Sequence, residues 1–320
     1  MNKKTLGKGL LAGATLAAGY FAVGNYFYNV ALKKEKKPFL ENNPNLPAGT
    51  SGEDRAREAR KQEREEWLKT VEQRPEKLMS FDGLQLIGTS FLQKSPTHEW
   101  AILVHGYLSN RYAMQEMAFQ FYQYGFNVLT IDCRGSGESQ GDYTTMGWLD
   151  RLDVRDWCNK LVSDDPKSTI VLYGISMGGA TVMMASGETL PENVKCIVED
   201  CGYTSAYGIF SYQLKELFHL PSFPVMNAAS TVTNLRSGFT LKEASSVEQL
   251  KKNHLPIFFI HGDADTFVPF SMLEEVVQAT KGEKEVYVVA GAPHGGAYAH
   301  DPKIYMEKVM RFILRAFMKD

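Results

Sequence analysis

A serine flanked by glycines stands between a strand-like and a helix-like segment near the middle of the chain. Ser176 lies in the sequence Gly-Ile-Ser-Met-Gly, after the apolar run Thr169–Leu172 and before residues of helical composition, Ala180–Ala185. Such a turn lifts the hydroxyl above the sheet edge, and the helix N-terminus directs backbone N–H groups at developing negative charge. Gly174 and Gly178 must lack side chains because strand and helix pass within contact distance there. The motif predicts a nucleophile at Ser176.

A serine nucleophile needs a base, and a histidine follows the last predicted strand. His294 lies in the glycine-rich loop Ala290–Gly296, where its ring could reach the serine, take the hydroxyl proton and return it to the leaving group. His300 is the alternative, but it adjoins the start of the final predicted helix. His105 is expected to make structural hydrogen bonds at a strand end. We therefore predict His294 as the base.

A carboxylate is needed to hold the imidazole in its tautomer and to stabilise the imidazolium. The loop after Ile260 carries Asp263 and Asp265. Asp265 is the better candidate because it lies further from the strand end, and Asp263 is expected to organise the turn. Asp200, which also follows a strand directly, is the alternative.

Two backbone N–H groups are expected to bind the oxyanion, the carbonyl oxygen that becomes negatively charged when the serine attacks the substrate. Met177 follows the nucleophile, and its N–H at the start of the predicted helix is one of these donors. Loss of one such donor typically lowers turnover by about 10²–10³-fold. The sequence shows no cluster of metal-ligating residues, and the three side chains supply both nucleophile and base. We therefore predict neither a metal nor a cofactor.

These loops lie far apart in the sequence, so the fold must bring them together. Strand-like runs alternate with helical segments from about residue 76 onward, after a hairpin signal at Asp82-Gly83. This alternation indicates an α/β fold with a mostly parallel sheet covered on both faces. Right-handed crossovers then place four loops at one edge of the sheet. The four loops follow Val104, Leu172, Ile260 and Val289, and the predicted helices include residues 113–124, 146–162, 242–252 and 302–317.

Almost 60 residues separate the strand ending at Val198 from the strand starting at Ile257, more than one crossover helix needs. About residues 203–239 are therefore predicted to form a small cap above the site. Packing against the body is one role for the apolar cap residues, and an aromatic-lined acyl pocket is the other. The aromatic residues of the cap include Tyr203, Tyr207, Phe210, Tyr212, Phe218 and Phe223.

The N-terminal residues 1–37 contain a long uncharged stretch. Residues 9–32 carry no charge, lysines flank both sides, and aromatic residues cluster in the second half. Because about 20 apolar residues cross a bilayer, we expect a single-pass membrane anchor with basic flanks. A cleaved signal peptide and a buried helix are the alternatives. The short basic start favours an extracytoplasmic catalytic domain, although the lysines after the stretch argue for the opposite orientation.

The remaining organisation follows from composition. Residues 38–75 are predicted to form a linker, 38–52, followed by a charged helix from residue 53 to residue 69. This helix is expected to be a solvated stalk, with a regulatory role as the alternative, and residues 76–320 are expected to be the catalytic domain. The formal net charge of −2 gives no indication of a nucleic-acid partner. Four irregularly spaced cysteines are expected to be small buried residues rather than a zinc site or a disulfide framework.

Taken together, the motifs resemble those of the α/β-hydrolase superfamily over about residues 76–317. Within this superfamily the chain resembles most the branch of serine-aminopeptidase-like and monoacylglycerol-lipase-like enzymes. The His-Gly-Gly-Gly loop of some other esterases is absent from the sequence. The matching motifs are His105-Gly106, Asp132-x-Arg134-Gly135-x-Gly137-x-Ser139, Gly174-x-Ser176-x-Gly178, His261-Gly262-Asp263-x-Asp265 and His294.

The resemblance implies a mostly parallel eight-stranded sheet, with helices on both faces and a small helical cap. It also implies a triad of Ser176, Asp265 and His294. The second oxyanion donor that it implies is the backbone N–H of Tyr107, in the loop after the apolar strand Trp100–Val104. We therefore expect a serine hydrolase that cleaves carboxylic esters, with a small-molecule ester or lipid as substrate. A serine peptidase or thioesterase of the same fold is the alternative, and a catalytically silent scaffold protein is a further one.

Overall fold

The computed structural model describes residues 3–35, 37 and 55–319, and describes only the helical backbone of residues 3–14 and 55–57. The predicted linker, residues 38–52, lies outside the described residues. The strands are β1 (Glu72–Met79), β2 (Gln85–Leu92), β3 (Glu99–Val104), β4 (Asn127–Ile131), β5 (Thr169–Ile175), β6 (Val194–Asp200), β7 (Ile257–Gly262) and β8 (Lys284–Val289). The helices are α1 (Lys3–Ala31), α2 (Arg55–Thr70), α3 (Gln115–Gln123), α4 (Asp150–Asp164), α5 (Met177–Ala185), α6 (Ala206–Phe218), α7 (Ser222–Ser237), α8 (Ser246–Leu250), α9 (Ser271–Ala279), α10 (Ala297–His300) and α11 (Pro302–Phe317).

The strands form one eight-stranded sheet in the order β1-β2-β4-β3-β5-β6-β7-β8. The hairpin β1–β2 is antiparallel and pairs antiparallel with β4, and all other neighbours are parallel. The predicted mostly parallel sheet is therefore confirmed. Because β3, β5, β7 and β8 run in the same direction, the loops after their carboxyl ends lie at one edge of the sheet.

Helices cover both faces of the sheet, and each face has its own apolar core. Helices α4, α5 and α9 pack on one face, where Val154, Trp157 and Val276 are buried. Helices α3 and α11 pack on the other face, together with Trp67 of α2. The charged helix α2 is therefore not a fully solvated stalk, since Trp67 is only 7% exposed. The four cysteines are free and buried, as predicted.

Some helices begin later than their composition predicts. Helix α4 starts at Asp150 rather than Met146 because Met146 and Gly147 have φ of 51° and 83°, which is incompatible with a right-handed helix. Helix α8 starts at Ser246 because the Ser245 side chain caps it by accepting from the N–H of Glu248 at 3.2 Å. The final helix, Pro302–Phe317, has the predicted bounds.

The predicted membrane anchor is not supported. Among the described residues, no helix combines the length and the apolarity that crossing a bilayer requires. The stretch 9–32 contains four glycines, three tyrosines and two asparagines, which lower its mean hydropathy although it carries no charge. The absence of charge therefore does not establish a membrane span.

The second half of α1 instead packs against α7, which belongs to the predicted cap. A Cβ atom added at Gly24 would lie 2.4 Å from the carbonyl oxygen of Ala228, so the two helices are in close contact. The side chains of Tyr28 and Leu32 are 3% and 1% exposed and belong to the core. The buried-helix alternative therefore holds only in part, because Phe21, Val23 and Tyr26 in this half of α1 are 41–55% exposed.

Candidate active site

Ser176 occupies a strained turn between β5 and α5. Its φ of 57° and ψ of −117° lie outside the usual regions for a residue with a side chain. The N–H of Ser176 donates to the carbonyl of Asp200 at 2.7 Å, which fixes the turn to the end of β6. The predicted need for glycine on both sides is confirmed. A Cβ atom at Gly174 would lie 2.1 Å from the carbonyl oxygen of Gly178, and one at Gly178 would lie 2.0 Å from that of Val104.

The structure brings Ser176, His294 and Asp265 into one chain of hydrogen bonds. The Nε2 atom of His294 lies 2.9 Å from the hydroxyl of Ser176, and its Nδ1 atom lies 2.7 Å from Oδ2 of Asp265. The other carboxylate oxygen of Asp265 accepts from the N–H groups of Phe267 and Val268, both at 2.9 Å. With the proton on Nδ1 held by Asp265, Nε2 is free to accept the proton of the serine hydroxyl.

Asp265 is poised to remain ionised although its side chain is fully buried. Burial raises the pKa of this carboxyl, but hydrogen bonds from His261 and His294 outweigh it and hold the pKa below its usual value. A buried carboxylate beside the imidazole stabilises the imidazolium more effectively than a solvated one would.

His261 is a contact of Asp265 that the sequence analysis missed. Its Nε2 atom lies 3.0 Å from the carbonyl oxygen of Val268 and 3.3 Å from Oδ2 of Asp265. Burial lowers the pKa of His261, but its contacts with Asp265 and with the carbonyl of Val268 help to raise it above its usual value. The His-Gly-Asp sequence places this histidine at the end of β7, next to the loop of Asp265. Nothing in a single sequence indicates which carboxylate it contacts.

The loop after β3 lies against the nucleophile. A Cβ atom at Gly106 would lie 3.4 Å from Cβ of Ser176. His105 is buried and accepts from the N–H of Cys133 at 3.1 Å through Nε2, so its Nδ1 carries the proton and donates to the carbonyl of Gly106 at 2.7 Å. Because this carbonyl and the N–H of Tyr107 belong to one peptide plane, His105 also orients that N–H. His105 therefore makes structural hydrogen bonds, as predicted.

Both predicted oxyanion donors are available. Within the described part of the chain, no hydrogen bond uses the backbone N–H of Tyr107 or of Met177. Met177 is the first residue of α5, where the initial N–H groups of a helix have no partner inside it. Free N–H groups next to a nucleophile are the donors that an oxyanion requires.

The residues that the sequence offered as alternatives for the site make other contacts. Asp263 accepts from the N–H of Gly291 at 2.6 Å and thereby joins the loops after β7 and β8, in line with the predicted turn role. Asp200 is buried beneath Ser176, where its Oδ2 accepts from the hydroxyl of Tyr305 at 2.7 Å. His300 ends the short helix α10, and the cap of α11 is Asp301 instead, which accepts from the N–H of Ile304 at 3.0 Å.

A buried glutamate adjoins Asp200 under the nucleophile turn. Glu199 is fully buried, and its Oε2 accepts from the N–H of Gly202 at 2.9 Å. Burial raises the pKa of Glu199 to about 8, with His261 and Gly202 opposing the rise. At neutral pH this side chain is therefore mostly protonated and uncharged, so it adds no buried negative charge to that of Asp265.

Two cavities meet at Ser176. The first has a volume of about 80 Å³ and is lined almost entirely by apolar side chains of α1, the cap and the body. Its lining residues include Phe27, Ala31, Tyr203, Phe210, Leu214, Phe218 and Met226. The second cavity includes Ser109, Glu116, His294 and Tyr298 and is more polar. Among the described residues, Ser176 lines both cavities, whereas His294 lines the second and not the first.

The cap is joined to the loop that carries Asp265. Helices α6 and α7 form it, and the hydroxyl of Tyr212 donates to the carbonyl of Thr266 at 2.9 Å. Its residues Tyr203, Phe210 and Phe218 line the apolar cavity. The cap residues therefore line an aromatic cavity, the second of the two roles that the sequence left open, and α1 forms an additional wall that the sequence analysis did not predict.

One group of described side chains could gather around a metal ion, namely Cys201, Asp265 and His294, whose ligand atoms lie within 4.8 Å of one another. Burial raises the pKa of the Cys201 thiol well above its usual value, which disfavours the thiolate that binds metals. Asp265 and His294 already bond to each other. The donor set therefore fits a metal poorly.

The sheet order, the strained serine turn and the converging loops define the α/β-hydrolase fold. The family model described as serine aminopeptidase, S33, matches residues 95–199. This match contains Tyr107, Ser176 and Met177 but ends before Asp265 and His294.

Proteins of known sequence and structure resemble the chain. The uncharacterized protein YqkD of Bacillus subtilis is 27% identical over 217 residues, covering 66% of this chain and 70% of that protein. An esterase of Pyrococcus furiosus has a TM-score of 0.64 at 24% identity and covers 77% of this chain and 92% of its own. An acylaminoacyl peptidase of Pyrococcus horikoshii has a TM-score of 0.59 at 20% identity, over 80% of this chain and 43% of its own. These matches support a hydrolase of the α/β-hydrolase superfamily.

Proposed function

We propose that this protein is a serine hydrolase that cleaves carboxylic esters of apolar acyl groups through an acyl-enzyme on Ser176. One observation carries the proposal. The hydroxyl of Ser176 lies 2.9 Å from Nε2 of His294 and at the same time lines an apolar cavity. A basic imidazole next to a hydroxyl makes a nucleophile, and an apolar cavity offers an acyl chain a place to bind.

The proposed reaction has two halves. His294 takes the proton of Ser176 as the hydroxyl attacks the ester carbonyl, and the N–H groups of Tyr107 and Met177 bind the oxyanion. The imidazolium, held by Asp265, then protonates the leaving alcohol. In the second half His294 removes a proton from water, the water attacks the acyl-enzyme, and the acid leaves as Ser176 regains its proton.

From the position of His294 we propose which cavity takes which part of the substrate. The leaving alcohol must lie within reach of His294 to be protonated, and His294 lines the polar cavity. The acyl group then extends into the apolar cavity on the other side of Ser176. In the polar cavity Glu116 accepts from Arg64 at 3.1 Å and from Tyr298 at 2.8 Å, so its charge is compensated and a neutral alcohol fits there.

An aminopeptidase is the second candidate because the matching family model carries that description. Such an enzyme needs a carboxylate to bind the amino group of the substrate. Among the described residues, no aspartate or glutamate lines the apolar cavity. Glu199 and Asp200 are buried beneath the nucleophile turn, with Asp200 engaged by Tyr305. These placements favour an ester with an uncharged acyl group.

A substrate panel tests the proposal. Purified protein is assayed with p-nitrophenyl esters from acetate to palmitate, with acyl-CoA thioesters, and with aminoacyl p-nitroanilides, using the Ser176→Ala variant as the blank. We expect the highest kcat/KM with an ester that has an apolar acyl chain. A preference for aminoacyl anilides would establish the peptidase instead, and a preference for acyl-CoA would establish a thioesterase.

A further inference from the structure

The last turns of helix α1 form one wall of the apolar cavity. Five residues at the end of α1 and just after it line this space, namely Phe27, Tyr28, Val30, Ala31 and Leu32. The ring of Phe27 contacts the ring of Phe218 of helix α6 edge to face, with centroids 5.5 Å apart. A segment distant in sequence from the triad therefore shapes the space beside Ser176.

Contacts along α7 fix the position of this wall. The hydroxyls of Tyr20 and Thr231 lie 3.1 Å apart, and those of Tyr28 and Ser237 lie 2.9 Å apart in a buried environment. The guanidinium of Arg236 lies 4.2 Å from the ring centroid of Tyr28. Buried hydrogen bonds and close helix packing of this kind restrict sliding and rotation of a helix.

The end of α1 is also attached to the body of the protein. The N–H of Lys34 donates to the carbonyl of Asp142 at 2.9 Å, and the N–H of Thr144 donates to the carbonyl of Leu32 at 2.8 Å. The hydroxyl of Tyr107 donates to the carbonyl of Ala31. Ala31 is therefore the part of the wall tied to the loop beside Ser176, whereas Phe27 lies one helical turn, about 6 Å, further along.

We propose that helix α1 determines the length of acyl chain that the enzyme accepts, an inference that rests on the proposed ester hydrolysis. The acyl chain passes the small side chain of Ala31 and ends against the pair Phe27 and Phe218. A larger side chain at residue 31 fills the near part of the cavity, and loss of the ring at residue 27 opens its far end. Chain-length preference responds strongly to such changes because adding or removing a methylene in an apolar site changes discrimination by about tenfold or more.

The experiment compares full-length variants on p-nitrophenyl acetate, octanoate, laurate and palmitate. For Phe27→Ala we expect the ratio of kcat/KM for palmitate to that for octanoate to rise about tenfold. For Ala31→Phe we expect the ratio for laurate to that for acetate to fall about tenfold. Phe21→Ala is the matched control, since this ring lies on the same helix but is 45% exposed and outside the cavity lining. Both ratios should stay at the wild-type value in this control.

The outcomes separate this inference from the function on which it rests. Wild-type protein that hydrolyses esters, with ratios unchanged in Phe27→Ala and Ala31→Phe, would overturn the role of α1 alone. Wild-type protein that hydrolyses no ester and leaves Ser176 unlabelled by a fluorophosphonate would overturn the proposed function and this inference with it. If Ala31→Phe fails to fold, Ala31→Leu makes the same test with a smaller side chain, and circular dichroism checks the fold of each variant.

Discussion

The hydroxyl of Tyr107 donates a hydrogen bond to the main-chain carbonyl of Ala31, and so joins the loop beside the nucleophile to the N-terminal helix. Burial raises the pKa of the Tyr107 phenol, so it remains a donor throughout the physiological range. The backbone N–H of the same residue is one of the two proposed oxyanion donors. One residue therefore belongs both to the reacting centre and to the contact that places α1.

This contact predicts a loss of stability in Tyr107→Phe. The substitution leaves the carbonyl of Ala31 without this partner, so we expect the free energy of unfolding to fall by about 1–2 kcal/mol. Urea denaturation followed by circular dichroism measures it. Tyr124→Phe is the control, since that residue is 47% exposed and its substitution should change stability by less than about 0.5 kcal/mol. Equal effects in the two variants would contradict a structural role for the Tyr107 hydroxyl.

The chain of hydrogen bonds predicts a large kinetic effect of Asp265→Asn. An amide in this position favours the wrong tautomer of His294 and cannot stabilise the imidazolium, so we expect kcat to fall by about 10⁴-fold. Steady-state kinetics on the preferred ester measures it. Asp263→Asn lies in the same loop and keeps the oxygen that accepts from Gly291, so its kcat should fall by less than about tenfold. A similar loss in both variants would indicate a shared loop distortion.

We predict that substitution of the buried His105 lowers turnover indirectly. Without its hydrogen bond to the carbonyl of Gly106, the N–H of Tyr107 is no longer held towards Ser176. We expect His105→Ala to lower kcat by about 10²-fold with a much smaller change in KM, as for loss of one oxyanion donor. His98→Ala, which removes an exposed imidazole, should change neither constant. A rise in KM without a fall in kcat would assign His105 to substrate binding instead.

Because Glu199 is buried, we predict that the free energy of unfolding depends on pH. Burial raises its pKa from 4.5 to about 8, so between these values the folded protein keeps a proton that the unfolded chain releases. The free energy of unfolding of the wild type therefore decreases as the pH rises through this window. Glu199→Gln removes the effect, and its stability relative to wild type should increase by up to about 1.4 kcal/mol per pH unit.

Denaturation series between pH 5.5 and 7.5, chosen to lie inside this window, measure that difference. Glu192→Gln, at an exposed position, should keep a constant difference from the wild type over the same range. A constant difference for Glu199→Gln as well would show that Glu199 is ionised in the folded protein.

Elements whose residues carry a local signal were predictable from the sequence. The strand before Ser176 and the final helix Pro302–Phe317 follow from apolar patterns, and Gly174 and Gly178 mark a close approach of strand and helix. The order of the motifs and the right-handed crossover then place the three triad residues at one edge of the sheet.

Features decided by tertiary contacts were not predictable in this way. The positive φ of Met146 and Gly147 delays the start of α4, although the composition there favours a helix. The uncharged segment of α1 has the lysine flanks and aromatic residues of a membrane anchor, but its partners Thr231 and Ser237 lie more than 200 residues away. His261 meets Asp265 only because the loop after β7 turns back on its own strand.

The most direct test of the central claim is labelling with an alkyl fluorophosphonate, followed by peptide mapping, together with ester turnover by wild type and Ser176→Ala. We predict that the probe modifies Ser176 alone in the wild type, that the variant is not labelled, and that its kcat falls by about 10⁶-fold. Full ester turnover by Ser176→Ala, or labelling of a different residue in the wild type, would contradict the account.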